Sequence, residues 1–262
     1  MLRLLPSRFS SVFLLLAGLF VAGGCAHHDA MPGTPPERET VAVDPAVLQG
    51  DARMEALIAP YAPEVARLKA PIGTATEDMG RGSKELGAWM ADVVREAASR
   101  AVGEPVDAAF VNKGGIRSDL PAGPVSVYTM MNIMPFDNEI DVLTLSGEQA
   151  IALAEVFAPQ NGRFPLSGMT IRVAADGSLD ELLIGGAPVV ASETYTIATS
   201  NYLTGGGDQL DIMATFPAPR TTSVRIRDAM IEAAERLTAE GRTLDPPTDA
   251  DRYLSEEALV TP

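Results

Sequence analysis

The feature that most constrains the fold is a change of hydrophobic pattern between two neighbouring segments. From Ser83 to Val102, apolar residues recur every three or four positions, which predicts a helix with one apolar face and Ser83 as its N-cap. The apolar segment Val106 to Val111 follows closely and is typical of a buried strand. A one-sided helix followed by an apolar strand indicates a domain that mixes helices and strands.

The rest of the chain continues this mixture of helices and strands. Further helices are predicted over Pro45 to Lys69 (broken or kinked by Pro60 and Pro63), Ser146 to Phe157, and Thr222 or Ser223 to Leu237. Strands are predicted over Pro71 to Glu77, Glu139 to Leu145, Met169 to Val173, Leu182 to Ile184 and Thr194 to Thr199, with a strand–helix element over Val125 to Met134. The order favours an α+β or α/β domain over residues 44–238, followed by a loosely attached acidic tail over residues 239–262.

The net charge argues against a nucleic-acid partner. The formal charge is −15, with 35 acidic residues against 20 Lys and Arg. Binding to phosphate backbones requires clustered cations. The composition therefore does not favour nucleic acid as the partner.

The N-terminus predicts export and lipid anchoring. Arg3 and Arg8 precede an apolar run that is too short for a comfortable membrane span, so residues 1–24 are expected to be a signal peptide. Cys25 is the only cysteine, and its setting after Ala22 and two glycines resembles a bacterial lipobox. Ordinary signal cleavage is the alternative. With lipidation, residues 25–43 would tether the domain to the envelope, and the absence of Asp at position 26 favours the outer membrane, on its periplasmic or surface side.

Four short stretches stand out from the apolar pattern. They are FVNKGGIRSDL (residues 110–120), NIMPFDN (132–138), FPLSGM (164–169) and TSNYLTGGGDQL (199–210). Paired glycines let the backbone turn tightly or approach a ligand, and amide and guanidinium groups suit planar polar recognition. Singly, each stretch is more often a surface turn or a core plug than a functional site.

Together, in this order, the four stretches resemble the C-terminal domain of the 5′-nucleotidase family. The matching patterns are N-x-G-G-x-R, a Pro-Phe pair, a Ser-Gly turn and N-[FY]-L followed by G-G-D, and the helix KELGAWMADVV resembles the family's L-G helix. The resemblance covers roughly Pro45 to Leu237. It implies an α+β fold built as a four-layer α/β/β/α sandwich.

The resemblance also implies a nucleotide or nucleoside ligand. Phe136 and Tyr202 would stack on the two faces of the base, and Asp208 would accept hydrogen bonds from the ribose hydroxyls. Asn112 would meet the base or a phosphate-side water, and Arg117 would bind the phosphate. The remaining residues implied at this site are Gly114, Gly115, Gly168, Gly206, Gly207 and the phosphate-side candidate Arg81.

No catalytic residue is predicted in this chain. The family's chemistry belongs to a separate metallophosphatase domain with several histidine ligands, whereas the only histidines here are His27 and His28, in the predicted tether. Ser167 lacks a histidine base, and the Gly205–Gly207 run lacks the Lys-[ST] of a phosphate-cradling loop. No cofactor is expected in this chain, and a divalent metal is expected only in a partner.

Three functions remain open at this point. The leading hypothesis is a substrate-recognition domain that acts in 5′-nucleotide hydrolysis with a separately encoded metallophosphatase. The alternative is a non-catalytic lipoprotein that captures nucleosides or nucleotides. A purely structural lipoprotein is disfavoured because an idle site need not keep two exposed aromatic residues.

Overall fold

The computed structural model describes residues 51–160 and 162–255; the predicted signal peptide, Cys25 and the tether lie outside them. The sheets and both apolar cores belong to the compact unit Ala56–Pro262. The other unit is Met1–Glu55, and its described residues, 51–55, include the start of the first helix. Within the described ranges, none of the helices has the length and apolar character needed to cross a bilayer.

The elements follow one another in mixed order. The helices are α1 (Ala52–Ile58), α2 (Ala62–Leu68), α3 (Lys84–Val102), α4 (Val127–Ile133), α5 (Gly147–Phe157), α6 (Asn201–Thr204) and α7 (Ile226–Ala239). The strands are β1 (Pro71–Ala75), β2 (Ala108–Phe110), β3 (Gly123–Ser126), β4 (Glu139–Ser146), β5 (Leu166–Ser167), β6 (Met169–Val173), β7 (Leu179–Ile184), β8 (Ala187–Pro188), β9 (Thr194–Ser200), β10 (Arg220–Arg225) and β11 (Tyr253–Ser255).

The central sheet has five strands in the order β10-β4-β9-β2-β5. Strands β2 and β9 are parallel, while β4 is antiparallel to β9, with Ile140 opposite Ser200. The carboxyl ends of β2 and β9 and the amino end of β4 therefore lie at the same edge of the sheet. The segments that leave or enter these three strands meet there.

Apolar side chains cover both faces of the central sheet. One core is built by α3, α4 and α7 and includes Met90, Val94 and Met230, all buried. The other core joins α5 to the four-stranded sheet β11-β6-β7-β8 and is centred on three stacked or edge-to-face rings, Phe110, Phe157 and Phe164. The predicted α+β class with more than one sheet is confirmed.

Helix boundaries follow local side-chain chemistry. The Ser83 hydroxyl accepts the Leu86 N–H at 3.2 Å, as the sequence predicted for the start of α3. Ser146 forms a capping box with Gln149 at the start of α5, which confirms that prediction as well. The segment with Pro60 and Pro63 is divided, as predicted, into α1, a 3₁₀ turn and α2, and its apolar side chains are exposed (Met54, Leu57, Ile58, Tyr61, Val65).

The predicted start of the last helix is wrong. Helix α7 begins at Ile226, because the residues before it pair as edge strand β10 against β4. The Thr221 hydroxyl donates to Asp141 at 2.7 Å and the Thr222 hydroxyl to the Ile140 carbonyl at 2.8 Å. These hydroxyls stabilise the strand, which the helix pattern alone does not reveal.

The expectation of a loosely attached tail is wrong up to Ser255. Leu244 is fully buried and its N–H donates to the Thr74 carbonyl at 2.8 Å. Strand β11 pairs in parallel with β6. Arg252 donates to both carboxylate oxygens of Asp92, at 2.8 and 2.9 Å. Burial disfavours the charged guanidinium, but the hydrogen bonds and charges of Asp92 and Asp249 outweigh burial and raise the pKa of Arg252.

Candidate functional site

The sheet edge described above brings three sequence motifs into one place. Asn112 follows β2, Tyr202 follows β9, and Phe136 precedes β4. Since β2 and β9 are parallel and β4 is antiparallel to β9, all three lie at the same edge. The topology therefore explains why motifs far apart in the chain form one site.

The Asn112 turn is tight and leaves room for its own side chain. The Gly115 N–H donates to the Asn112 carbonyl at 3.0 Å, which closes a 3₁₀ turn over Lys113–Gly115. A Cβ on Gly115 would lie 3.1 Å from the Asn112 side-chain oxygen. A glycine at position 115 lets the side-chain amide of Asn112 lie against the turn, and Asn112 is only 6% exposed.

Asp208 connects Asn112 to Tyr202. Its carboxylate accepts the Asn112 amide at 2.8 Å and the Tyr202 hydroxyl at 3.1 Å. Its N–H donates to the same hydroxyl at 3.1 Å. Asp208 and Gln209 have φ of 56° and 63°, a left-handed backbone that costs roughly 1–2 kcal/mol per residue. Backbone strain of this kind concentrates at functional sites.

Gly206 and Gly207 shape the loop that carries Asp208. Gly206 has φ of +85°, which favours glycine. A Cβ on Gly207 would lie 2.5 Å from two ring carbons of Tyr202. The ring can therefore lie over the loop only because position 207 has no side chain.

Phe136 and Tyr202 contribute exposed aromatic rings to a single cleft of about 320 Å³. They are 41% and 44% exposed, although large apolar side chains of this fold are mostly buried. The lining is Asn112, Gly114, Gly115, Arg117, Phe136, Asn138, Tyr202 and Asp208. Two rings with a few convergent polar groups in a cleft of this size are typical of a small-molecule site.

Arg117 supplies the positive charge of the cleft lining. Its N–H donates to the Ile133 carbonyl at 2.8 Å, which fixes the backbone. Among residues 51–160 and 162–255, its guanidinium makes one hydrogen bond, to the Gly114 carbonyl at 3.2 Å. The remaining N–H groups are suited to a planar anion such as phosphate or carboxylate.

Four residues implied by the resemblance do not line this cleft: Gly206 and Gly207, which shape the loop described above, and Gly168 and Arg81. Gly168, with φ of +66°, lies where a Cβ would be 2.3 Å from the Asp107 carbonyl, so its role is to let two backbones approach. Arg81 donates its backbone N–H to the Asp119 carboxylate at 2.6 Å.

Asn138 lines the cleft and was not singled out as a site residue from the sequence. Its amide can both donate and accept hydrogen bonds. The available signal was its position two residues after Phe136, in the stretch NIMPFDN.

The described residues contain no group of three or more His, Cys, Asp or Glu side chains placed to hold a metal ion. The polar groups of the cleft are amides, one guanidinium, one phenol and one carboxylate. This set is suited to binding a polar aromatic molecule.

The chain belongs to the 5′-nucleotidase C-terminal domain family, whose family model matches residues 64–215. Protein UshA of Escherichia coli is 34% identical over 105 residues, which is 39% of this chain and 19% of UshA. The 5′-nucleotidase of Vibrio vulnificus is 28% identical over 158 residues, 59% of this chain and 27% of that protein. The family resemblance seen in the sequence is thereby confirmed.

A solved structure shares the fold. The 5′-nucleotidase precursor of Thermus thermophilus superposes with a TM-score of 0.65 at 22% identity, over 77% of this chain and 42% of that one. This chain thus matches about a fifth to a quarter of the length of the curated relatives named here and less than half of the solved one.

Proposed function

We propose that this chain binds a nucleoside or 5′-nucleotide in the cleft and acts in nucleotide catabolism as the recognition part of a 5′-nucleotide hydrolase. The observation that carries the proposal is the joint placement of Phe136, Tyr202 and Asp208 with Arg117 in one cleft. Membership of the 5′-nucleotidase C-terminal domain family supports the same ligand class.

Each group of the cleft has a distinct role in this proposal. The rings of Phe136 and Tyr202 stack on the base, an attraction worth about 1–3 kcal/mol per base that tolerates different bases. Asp208 accepts hydrogen bonds from the ribose hydroxyls, and Arg117 pairs with the phosphate. The Asn112 amide holds the Asp208 carboxylate for this contact.

Hydrolysis in this proposal is carried out by a separate metallophosphatase. The phosphate of a bound 5′-nucleotide would project beyond Arg117 to a partner whose metal ions activate water. The support is chemical: the cleft provides groups for stacking and hydrogen bonding, and none of its lining residues is a histidine.

We further propose that the domain acts outside the cytoplasm, attached by a lipid. The support is the signal-peptide pattern of residues 1–24 and Cys25 in its lipobox-like setting. Metabolic labelling with a radioactive fatty acid, with Cys25→Ala as the control, tests this attachment.

Calorimetric titration of the purified chain with adenosine and AMP tests the ligand. Phosphate release is then measured with added Mn²⁺ or Zn²⁺. Binding of adenosine or AMP without phosphate release supports a recognition domain. Absence of binding to both overturns the proposal, and phosphate release by the chain alone overturns its dependence on a partner.

A further inference from the structure

The loop that carries Phe136 is held from outside the cleft by an arginine at the start of α7. We call residues 135–138 the aromatic loop. Arg227 donates to the Asp137 carboxylate at 2.6 Å and to the Pro135 carbonyl at 3.2 Å. The guanidinium therefore holds both neighbours of Phe136 at once.

The backbone of the same helix start adds a third contact to this loop. The Ile226 N–H donates to the Asn138 carbonyl at 2.9 Å. Just after the loop, the Glu139 N–H donates to the side chain of Asn201 at 3.2 Å, next to the second aromatic residue of the cleft. Contacts to the start of α7 and to α6 thus fix the aromatic loop.

Arg227 is well placed to act on the loop rather than on a ligand. Its side chain is only 13% exposed, and it does not belong to the cleft lining. The side chain of its carboxylate partner, Asp137, is 72% exposed, so the arginine is the more buried member of the pair. An arginine with these contacts holds the aromatic loop through one side chain and one backbone carbonyl.

The Phe136 ring depends on this support. A ring that is 41% exposed has fewer neighbours to restrain it than a core ring, so its position follows from the backbone that carries it. A loop that must be ordered during binding lowers affinity by the entropy of ordering, whereas a loop ordered beforehand does not.

We propose that Arg227 is a positioning residue that holds Phe136 ready to stack on a base. This inference rests on the proposed function, because it requires a base in the cleft. It deepens that function by adding a residue that sets affinity without touching the ligand. The effect should be the same for a nucleoside and its 5′-phosphate, since the stacked base is common to both.

Arg227→Met and Arg225→Met in the full chain make a matched pair, because they remove the same charge two positions apart. Arg225 is half exposed, and its ion pair with Asp228 is long, at 3.7 Å. We expect R227M to weaken adenosine and AMP binding by the same factor, about tenfold, since a stacked base is worth about 1–3 kcal/mol. R225M should bind both as the wild type does. Thermal unfolding of each variant shows whether the fold is retained.

A double-mutant cycle with Phe136→Ala separates positioning from a general loss of structure. If Arg227 acts through the ring, R227M has no further effect on affinity once Phe136 is removed. Additive losses in the double variant would overturn the inference. A larger loss for AMP than for adenosine would also overturn it, because it would mean that Arg227 contacts the phosphate.

Asp137→Asn provides the test if R227M fails to fold, since Asp137 lies on the surface. It should weaken adenosine binding about two- to threefold, because Arg227 keeps its bond to Pro135 but loses the charged partner. If the wild-type chain binds adenosine and R227M binds it equally well, this inference alone is overturned. If R227M does not fold, the same result for D137N overturns it. Wild-type chain that binds neither adenosine nor AMP overturns the proposed function, and this inference with it.

Discussion

The side-chain amide of Asn112 donates to the carboxylate of Asp208 at 2.8 Å, across 96 positions of the chain. The pair joins the turn after β2 to the loop after α6. The second oxygen of the same carboxylate accepts the Tyr202 hydroxyl. One carboxylate thus aligns the amide and an aromatic ring of the cleft before any ligand enters.

Asp208→Ala should weaken adenosine binding by about 1–3 kcal/mol, because the ribose hydroxyls lose their acceptor and the Asn112 amide and the Tyr202 hydroxyl lose their partner. Asp211→Ala is the control, since Asp211 is an exposed carboxylate in the same segment. Calorimetric titration measures both variants. Equal affinities for D208A and D211A would contradict a ribose contact by Asp208.

Phe136→Ala and Tyr202→Ala should each weaken nucleoside binding by about 1–3 kcal/mol, the value of one stacking contact. Tyr128→Ala is the matched control, because Tyr128 is 47% exposed but does not line the cleft. The affinity of Tyr202→Phe should lie between those of the wild type and Tyr202→Ala, since this variant keeps the ring and loses the hydrogen bond to Asp208. Unchanged affinity in both alanine variants would rule out stacking.

Arg117→Met should separate the nucleoside from the nucleotide. We expect AMP affinity to fall by about 1.5–3 kcal/mol, the value of a charge-assisted hydrogen bond, while adenosine affinity stays the same. Arg220→Met, at an exposed residue of β10, removes the same charge away from the cleft. A loss of equal size for adenosine and AMP would assign Arg117 to the base or sugar instead.

Gly207→Ala should displace the Tyr202 ring, because the new Cβ would lie 2.5 Å from its carbons. Adenosine affinity should fall about as far as in Tyr202→Ala. Gly82→Ala is the control, since a Cβ there meets nothing within 4 Å. Affinity at the wild-type level in G207A, with its fold confirmed by circular dichroism, would show that the loop adapts.

The sequence predicts those parts of the fold that depend on local pattern. The apolar periodicity of α3 and the hydroxyl caps of α3 and α5 are local, and the structure confirms them. The start of α7 was missed because Thr221 and Thr222 are engaged by β4, 80 and 82 positions away. A helix pattern carries no information about such a partner.

The residues of the cleft and its support also divide into those with a local sequence pattern and those without one. Phe136, Tyr202 and Asp208 were identified by their motifs, and the antiparallel pairing of β4 with β9 brings these motifs together. The positioning role proposed for Arg227 could not be identified in advance, because it rests on contacts with residues 90 and 92 positions away. Residues that support a site leave a weaker local pattern than residues that form it.

The C-terminal segment should stabilise the fold through Arg252, which is only 8% exposed. Arg252→Met leaves the Asp92 carboxylate without its charged partner. Breaking a buried ion pair lowers the free energy of unfolding by about 3–5 kcal/mol. We expect the lower end of this range, because Asp92 is partly exposed. The free energy of unfolding in urea measures the effect, with Arg53→Met at a 94% exposed side chain as the control. Equal stability of R252M and R53M would show that β11 and Leu244 hold this segment without the ion pair.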